Sequence, residues 1–163
     1  MKPLYEEDLY DIHPNTQLTD CLSNEDLCLS QNVPIIVRYN LIDLNRTKYH
    51  FKQEFKSNET NLYFERMYEL SILTINKIED SNIQNRIHFY RSGIKGNLKS
   101  VLAEINPKIV KANPLIFHFA LDPGNNNYAN REKSIRNPRV YFMLGMNGAI
   151  HILFFDPYHE INP

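Results

Sequence analysis

The chain has 163 residues, of which 42% are hydrophobic and 23% are charged, and its formal net charge is −1. This length is enough for one sizeable core and short for two, and the composition is typical of a globular protein rather than a disordered or membrane-embedded one. No apolar run approaches the ~20 residues that a membrane-spanning helix needs, and the first residues are acidic rather than basic. We therefore expect a cytoplasmic protein without membrane association.

Charge is distributed unevenly along the chain. Residues 1–80 carry 8 Lys and Arg against 14 Asp and Glu, whereas residues 81–163 carry 10 against 5. We interpret residues 1–33, with seven acids and one lysine, as an acidic N-terminal arm, and residues 34–163 as a single α+β domain. The basic second half favours phosphate or another anion as a ligand, although a merely solvated basic face stays open as the alternative.

The first half of the domain is predicted to contain two strands, one helix and a further short strand. The β-rich runs at 35–42 and 49–55 predict a hairpin, and residues 86–91 predict a short strand. Between them, apolar residues recur at helical spacing and predict a helix over about 61–79 whose apolar stripe packs inward. The stripe consists of Phe64, Tyr68, Ile72, Ile75 and Ile78, and Met67 and Leu70 widen it.

The second half begins with a predicted helix and a predicted strand. Apolar residues on one helical face run from Leu98 to Ile109. Pro107 breaks the interior hydrogen bonding of this helix, and Asn106 before it fits the N-cap of a new turn. The apolar run 115–121 predicts a strand.

The strongest short-range signal is Asn147-Gly148, which predicts a hairpin turn between strands at 140–144 and 150–155. Both faces of this hairpin are apolar, so we expect it to be covered on both sides, by helices on at least one. The complete order, β-β-α-β-α-β-β-β, predicts an α+β fold with a mixed or antiparallel sheet and a C-terminal β-hairpin. The predicted cross-strand pairs are Val140 with Phe155, Arg139 with Asp156, and Leu144 with His151.

Polar residues at one end of the predicted sheet form the first candidate site. If the last three strands form a meander, Asp122, Arg139 and Asp156 meet there. Arginine can neutralise developing negative charge, and histidine or a carboxylate can transfer a proton near neutral pH. The alternative is that the aspartates stop strands and pair with the arginine, while the residues after the last strand are solvated. The predicted catalytic group is Arg139, Tyr158, His159 and Asp156.

The segment Ser92–Asn97 is the second candidate, because it joins a predicted strand to a predicted helix and contains two glycines. Exposed amides at a helix start, aided by Lys95 and Lys99, can bind phosphate. The spacing is not that of a P-loop, so an ordinary tight connection stays open as the alternative.

The third candidate is the long basic segment 122–138, which carries Arg131, Lys133 and Arg136. Connections longer than about 12–15 residues are uncommon in compact domains and are usually functional or disordered. Basic side chains on such a segment can follow a nucleic-acid backbone, and Tyr128 can stack on a base.

Metal and nucleophile chemistry have little support in the sequence. His118, His151 and His159 have no diagnostic spacing, and the first two lie inside apolar strands, where a hydrogen-bonded core histidine is commoner. Cys21 and Cys28 lack metal-site spacing, and we interpret them as idle thiols. We expect no metal and no cofactor.

The stretch from Arg139-Val140-Tyr141-Phe142 through His151-Ile152-Leu153 to His159 resembles the closing hairpin of the small RelE/ParE-type bacterial toxins. In that family Arg, Tyr or His residues near the sheet help to cleave RNA without a metal. The chain departs from the family in its overall length and in the strands that precede the hairpin.

Two classes of function follow. The leading hypothesis is a small phosphate- or nucleic-acid-engaging protein, specifically a metal-independent ribonuclease of toxin or phage-defence type, with RNA or another phosphate-bearing ligand as partner. The rival is a non-catalytic protein-interaction module, such as a phage or host-defence accessory factor, that binds a protein through its acidic arm or basic face. A third version has the acidic arm lie over the basic half and mask it.

Overall fold

A five-stranded mixed sheet forms the centre of the part of the chain that the computed structural model describes, residues 34–78, 80–122, 136–145 and 148–161. The strands are β1 (Ile36–Arg38), β2 (Tyr90–Ser92), β3 (Ile116–Ala120), β4 (Arg139–Leu144) and β5 (Ala149–Asp156). Their order across the sheet is β1-β5-β4-β3-β2. β1 runs parallel to β5, and all other neighbours are antiparallel.

Helices cover both faces of this sheet. Within the described ranges they are α1 (Phe51–Glu54), α2 (Ser57–Ser71), α3 (Ile75–Ile78), α4 (Ser81–Ile87), α5 (Gly96–Ile105) and α6 (Pro107–Ala112). Each of them is too short or too polar to cross a bilayer. The α+β fold, the mixed sheet, the single compact domain and the C-terminal hairpin are therefore as predicted.

The sheet separates two apolar cores. Successive side chains of a strand point to opposite faces, so Phe117 packs in one core and Ile116 in the other. Helix α2 closes the first core through side chains that include Met67, whereas α5 and α6 close the second through residues such as Leu102 and Ile109. β3, β4 and β5 are consequently buried along their whole length, as expected for strands covered on both sides.

The predicted C-terminal hairpin is confirmed at its open end and shifted by one residue at its closed end. Val140 is opposite Phe155, as predicted. A register shift between Tyr141 and Phe142 then places Leu144 opposite Ile150, so the predicted pairing of Leu144 with His151 is wrong. Two residues of the turn, 146 and 147, lie outside the described ranges.

The predicted helix break is confirmed between α5 and α6. The Asn106 side chain accepts a hydrogen bond from the Lys108 amide at 3.0 Å, and Pro107 occupies the first position of α6. Proline is tolerated there because the first amides of a helix have no partner within the helix.

The predicted second strand at 49–55 is wrong, because residues 51–54 form α1. His50 accepts a hydrogen bond from the Lys52 amide at 2.9 Å and starts this turn. Phe51 and Phe55, four residues apart, then pack against the ring of Phe155 with centroid separations of 5.6 and 5.0 Å. The predicted N-terminal hairpin is replaced by the parallel pairing of β1 with β5.

The predicted strand at 86–91 is also only partly correct. Asp80 accepts a hydrogen bond from the Asn82 amide at 2.8 Å and caps α4, which extends to residue 87. His88 then adopts the left-handed conformation that often ends a helix, with φ of 49°. Only Tyr90–Ser92 remain as a strand.

The predicted helix over about 61–79 is interrupted after Ser71, and only part of its predicted apolar face is buried. Phe64, Tyr68 and Ile72 are 63%, 68% and 64% exposed, whereas Met67 is buried. The inward face includes Glu59, which is 3% exposed and paired with an arginine, so a charged residue interrupts the apolar pattern on the buried side. Hydrophobic periodicity therefore combined residues of the exposed face with residues of the buried one.

Substitutions on the two faces of α2 test this orientation. Met67→Ala is expected to lower the free energy of unfolding by about 2–5 kcal/mol, because it leaves a cavity in the core. Phe64→Ala, one turn away on the exposed face, is expected to change it by no more than about 0.5 kcal/mol. Urea denaturation measures both values, and a larger loss for Phe64→Ala than for Met67→Ala would contradict the structure.

Candidate functional site

The end of the sheet where β3 finishes, β4 starts and β5 finishes brings together a buried arginine and a buried aspartate. Arg139 is the backbone partner of both Ala120 and Asp156. Arg139 is 1% exposed and Asp156 is fully buried. Asp122 follows β3 at the same end and is half-buried. The predicted meander therefore exists and places the polar residues as neighbours.

The Asp156 carboxylate organises the chain that follows β5. It accepts hydrogen bonds from the backbone amides of Tyr158, Glu160 and Ile161 at 3.3, 3.1 and 2.9 Å. Burial raises the pKa of Asp156, while the three amide hydrogen bonds act in the opposite direction. These contacts give Asp156 a structural role, since they hold the turn that carries His159.

Arg139 places a positive charge among histidines. Its Nη1 atom donates to the Asn137 side-chain oxygen at 2.6 Å and to the Pro138 carbonyl at 3.2 Å. Burial lowers the pKa values of His88, His118 and His159, and the Arg139 charge lowers each of them further. We call Arg139, His88, His118 and His159 the Arg139 cluster.

Two imidazoles of the Arg139 cluster face each other. The ring centroids of His118 and His159 are 5.8 Å apart. Burial, then the neighbouring His159 and Arg139, lower the pKa of His118 to about 3, and burial and Arg139 lower that of His159 to about 4. Both rings are therefore neutral at pH 7, and each can accept a proton or a hydrogen bond.

The two rings differ in how they are held. Nδ1 of His118 lies 2.7 Å from the hydroxyl oxygen of Ser92, which is buried on β2. Nε2 of His159 is buried and has no hydrogen-bond partner among the residues that the structure describes. Since buried polar atoms are normally satisfied, this nitrogen is the atom of the cluster best suited to meet a ligand.

Tyr158 does not join this cluster, although it precedes His159 in the chain. Its ring lies 5.6 Å from the guanidinium of Arg136, which also lies 5.9 Å from the ring of Phe155 on the opposite face of the sheet. The predicted catalytic group is therefore divided. After β5, the Tyr158 side chain lies on one face of the sheet and the His159 side chain lies on the other.

Arg136 forms a two-pronged ion pair with Glu59. Its Nη2 atom donates to the Glu59 carboxylate at 2.7 Å, and its Nε atom donates to the other carboxylate oxygen. Glu59 also accepts from the Lys56 amide at the start of α2. This pairing attaches α2 to the residues that precede β4, and the phosphate binding predicted for Arg136 stays a prediction.

The other predicted binding residues fall in two groups. Lys95 and Lys99 are exposed at the start of α5, where the Asn97 side-chain nitrogen donates to the Glu160 carbonyl at 3.3 Å. That contact brings the start of α5 beside the turn that carries His159. Arg131 and Lys133 lie outside the described residues, as do Tyr128, the two cysteines and the acidic arm.

The sequence did not identify His118, Ser92 and His88 as members of this site. His118 alternates with two buried phenylalanines on β3, which favours a core role on composition alone. Its face was predictable, since it lies two residues from Ala120, the partner of Arg139. Ser92 reaches the site because β2 pairs with β3, and no local sequence pattern predicts that pairing.

No metal site is present in the described part of the chain, because no three His, Cys, Asp or Glu side chains are grouped there so as to hold an ion. Comparisons with known proteins identify no matching family model, no matching curated protein and no matching solved structure.

The lowered pKa of His159 predicts a pH-dependent loss of stability. Between the ordinary pKa of 6.5 and the folded value of about 4, the unfolded chain binds more protons, so the free energy of unfolding falls as pH falls through this range. His159→Asn removes this contribution and is expected to reduce the loss between pH 7 and pH 4 by about 1–2 kcal/mol.

Urea denaturation of both proteins at pH 7, 5.5 and 4 measures this difference. Carboxylates titrate equally in the two proteins. The difference between their slopes of unfolding free energy against pH therefore reports on His159. Equal slopes would show that this imidazole is not held neutral by its surroundings.

Proposed function

We propose that this protein binds a phosphate-bearing ligand at the Arg139 cluster and cleaves RNA there without a metal, as a nuclease of toxin or phage-defence type. The observation that carries the proposal is the pair of neighbouring imidazoles of His118 and His159, 5.8 Å apart, beside the strand position of the buried Arg139, whose charge helps to keep both rings neutral. A cation beside a pair of proton-transfer groups is the set of groups that metal-free phosphodiester cleavage requires.

Electrostatics favours an anion at this position. The positive charge of Arg139 is buried, and a phosphate beside it would be attracted more strongly than in water, because the surroundings are less polarisable. Burial is the main cause of the lowered pKa values of His118 and His159, and a bound phosphate would offset the smaller contribution that the Arg139 charge makes to them. Ligand binding would thereby bring these pKa values closer to neutral pH, where one ring can hold a proton.

The proposed reaction divides two proton transfers between the rings. His159, through Nε2, takes the proton of the ribose 2′-hydroxyl while the 2′-oxygen forms a bond to phosphorus. His118, protonated once the phosphate is bound and oriented by Ser92, gives a proton to the 5′-oxygen as the phosphorus–oxygen bond breaks. Arg139 stabilises the negative charge that accumulates on the phosphoryl oxygens. The products are a 2′,3′-cyclic phosphate and a 5′-hydroxyl.

Other predicted residues take supporting roles in this proposal. Asp156 is a positioning residue, because its carboxylate fixes the turn that presents His159. Lys95 and Lys99 are placed to attract the phosphates that flank the cleaved bond, since the start of α5 contacts the same turn. Tyr158 and Arg136 are not part of the proposed reactive group.

Incubation with labelled single-stranded RNA in EDTA tests the reaction. The wild-type protein is expected to cleave the RNA, and His159→Asn is expected to slow cleavage by about 100-fold or more. Asparagine is chosen because residue 159 has φ of 54°, and asparagine tolerates this left-handed backbone well.

His151→Asn is the matched control. His151 is also a buried histidine of the same chain, but it bonds to Asn40 and lies at the other end of β5. Unchanged cleavage in folded His159→Asn would remove the catalytic assignment. Neither binding nor cleavage by the wild-type protein, in EDTA or with divalent metal, would favour the non-catalytic protein-interaction module instead.

A further inference from the structure

We propose that the substrate is a single-stranded nucleic acid and that an unpaired base stacks on Tyr90 beside the Arg139 cluster. This inference rests on the proposed function and names its substrate class. Two independent observations support this inference. One is the position of the Tyr90 ring, and the other is the burial of the charged and titratable groups beside it.

Tyr90 lies beside His118, a member of the Arg139 cluster. It is the backbone partner of His118 across β2 and β3, so the two side chains share one face of the sheet. Their ring centroids are 6.1 Å apart. Tyr90 is 36% exposed, whereas His118 is 7% exposed, so the tyrosine is the solvent-facing member of this pair of neighbouring rings.

The Tyr90 ring is held in place from its protein side. His88 contacts it edge-on, with the ring centroids 6.0 Å apart and the planes at 80°. The backbone of Tyr90 pairs with β3, while β2 forms the edge of the sheet. An aromatic ring with a fixed orientation and an exposed surface is the platform on which bases stack in single-strand binding proteins.

The depth of the cluster favours a single strand over a duplex. Arg139 is 1% exposed and Asp156 is fully buried, so a phosphate has to enter below the surface of the protein to reach the guanidinium. In a duplex the bases are stacked and paired inside, so none is available to Tyr90 unless it is unpaired at a cost of a few kcal/mol. The bases of a single strand are unpaired, so one of them can stack on Tyr90 without this cost. The ribose of the same nucleotide connects that base to the neighbouring phosphate.

Cleavage of matched single-stranded and duplex RNA in EDTA tests the substrate class. The single strand is expected to be cleaved faster, and Tyr90→Ala is expected to reduce kcat/KM for it by about 5- to 100-fold. Tyr90→Phe should retain activity, because stacking requires the ring and not the hydroxyl. Tyr68→Ala, which removes an exposed tyrosine on α2 that is distant from the cluster in sequence (68% exposed, against 36% for Tyr90), is the control and should have no effect.

Two further substrates separate stacking from a structural role of Tyr90. An RNA with an abasic nucleotide at the cleavage position should be cleaved equally by wild type and Tyr90→Ala, because it offers no base to stack. A DNA strand of the same sequence lacks the 2′-hydroxyl, so its affinity reports on binding alone and should fall in Tyr90→Ala.

The outcomes distinguish this inference from the proposed function. Equal cleavage of duplex and single strand, or a Tyr90→Ala variant that behaves like Tyr68→Ala, would overturn the inference while the effect of His159→Asn preserved the proposed function. Absence of both RNA cleavage and single-strand binding in the wild-type protein would overturn both.

Discussion

The buried carboxylate of Asp156 is the constraint on which the candidate site depends. Burial of a carboxylate is costly unless it is hydrogen-bonded, and Asp156 meets this condition by accepting from three amides of the chain that follows it. Those bonds force a tight reversal directly after the last strand. The reversal places the Tyr158 ring beside Arg136 and the His159 ring beside His118. One side chain thus determines which neighbouring residues belong to the site and which attach α2.

The buried charge of Arg139 connects stability with the proposed chemistry. It helps to keep His118 and His159 neutral, and a pair of neutral imidazoles beside a buried cation is less stable in acid than an apolar core would be. Natural proteins accept such arrangements most often at functional sites, where shifted pKa values serve a reaction. An anion at this position would reduce the repulsion between Arg139 and a protonated imidazole, so binding and protonation are coupled through the same guanidinium.

The errors of sequence interpretation in α1 and α2 have one physical cause. In α2 the buried face contains Glu59, whose charge is compensated by Arg136, a residue 77 positions away. In α1 the alternation of residues 49–55 suggested a strand, but the helical spacing of Phe51 and Phe55 fits the ring of Phe155. In each case the local structure depends on a contact with a residue distant in sequence. Local periodicity contains no information about such contacts.

The sequence by itself determined the α+β class, the C-terminal hairpin, the break between α5 and α6, and the meeting of Arg139 with Asp156. These features depend on short-range chemistry, namely turn residues, proline geometry and the alternation of strand side chains. Only the tertiary structure decided that β2 lies beside β3, that Ser92 and Tyr90 therefore reach His118, and that Tyr158 and His159 separate. These features depend on the pairing of strands distant in sequence and on the buried carboxylate of Asp156. The stability of both depends on neighbouring residues that the order of residues along the chain does not reveal.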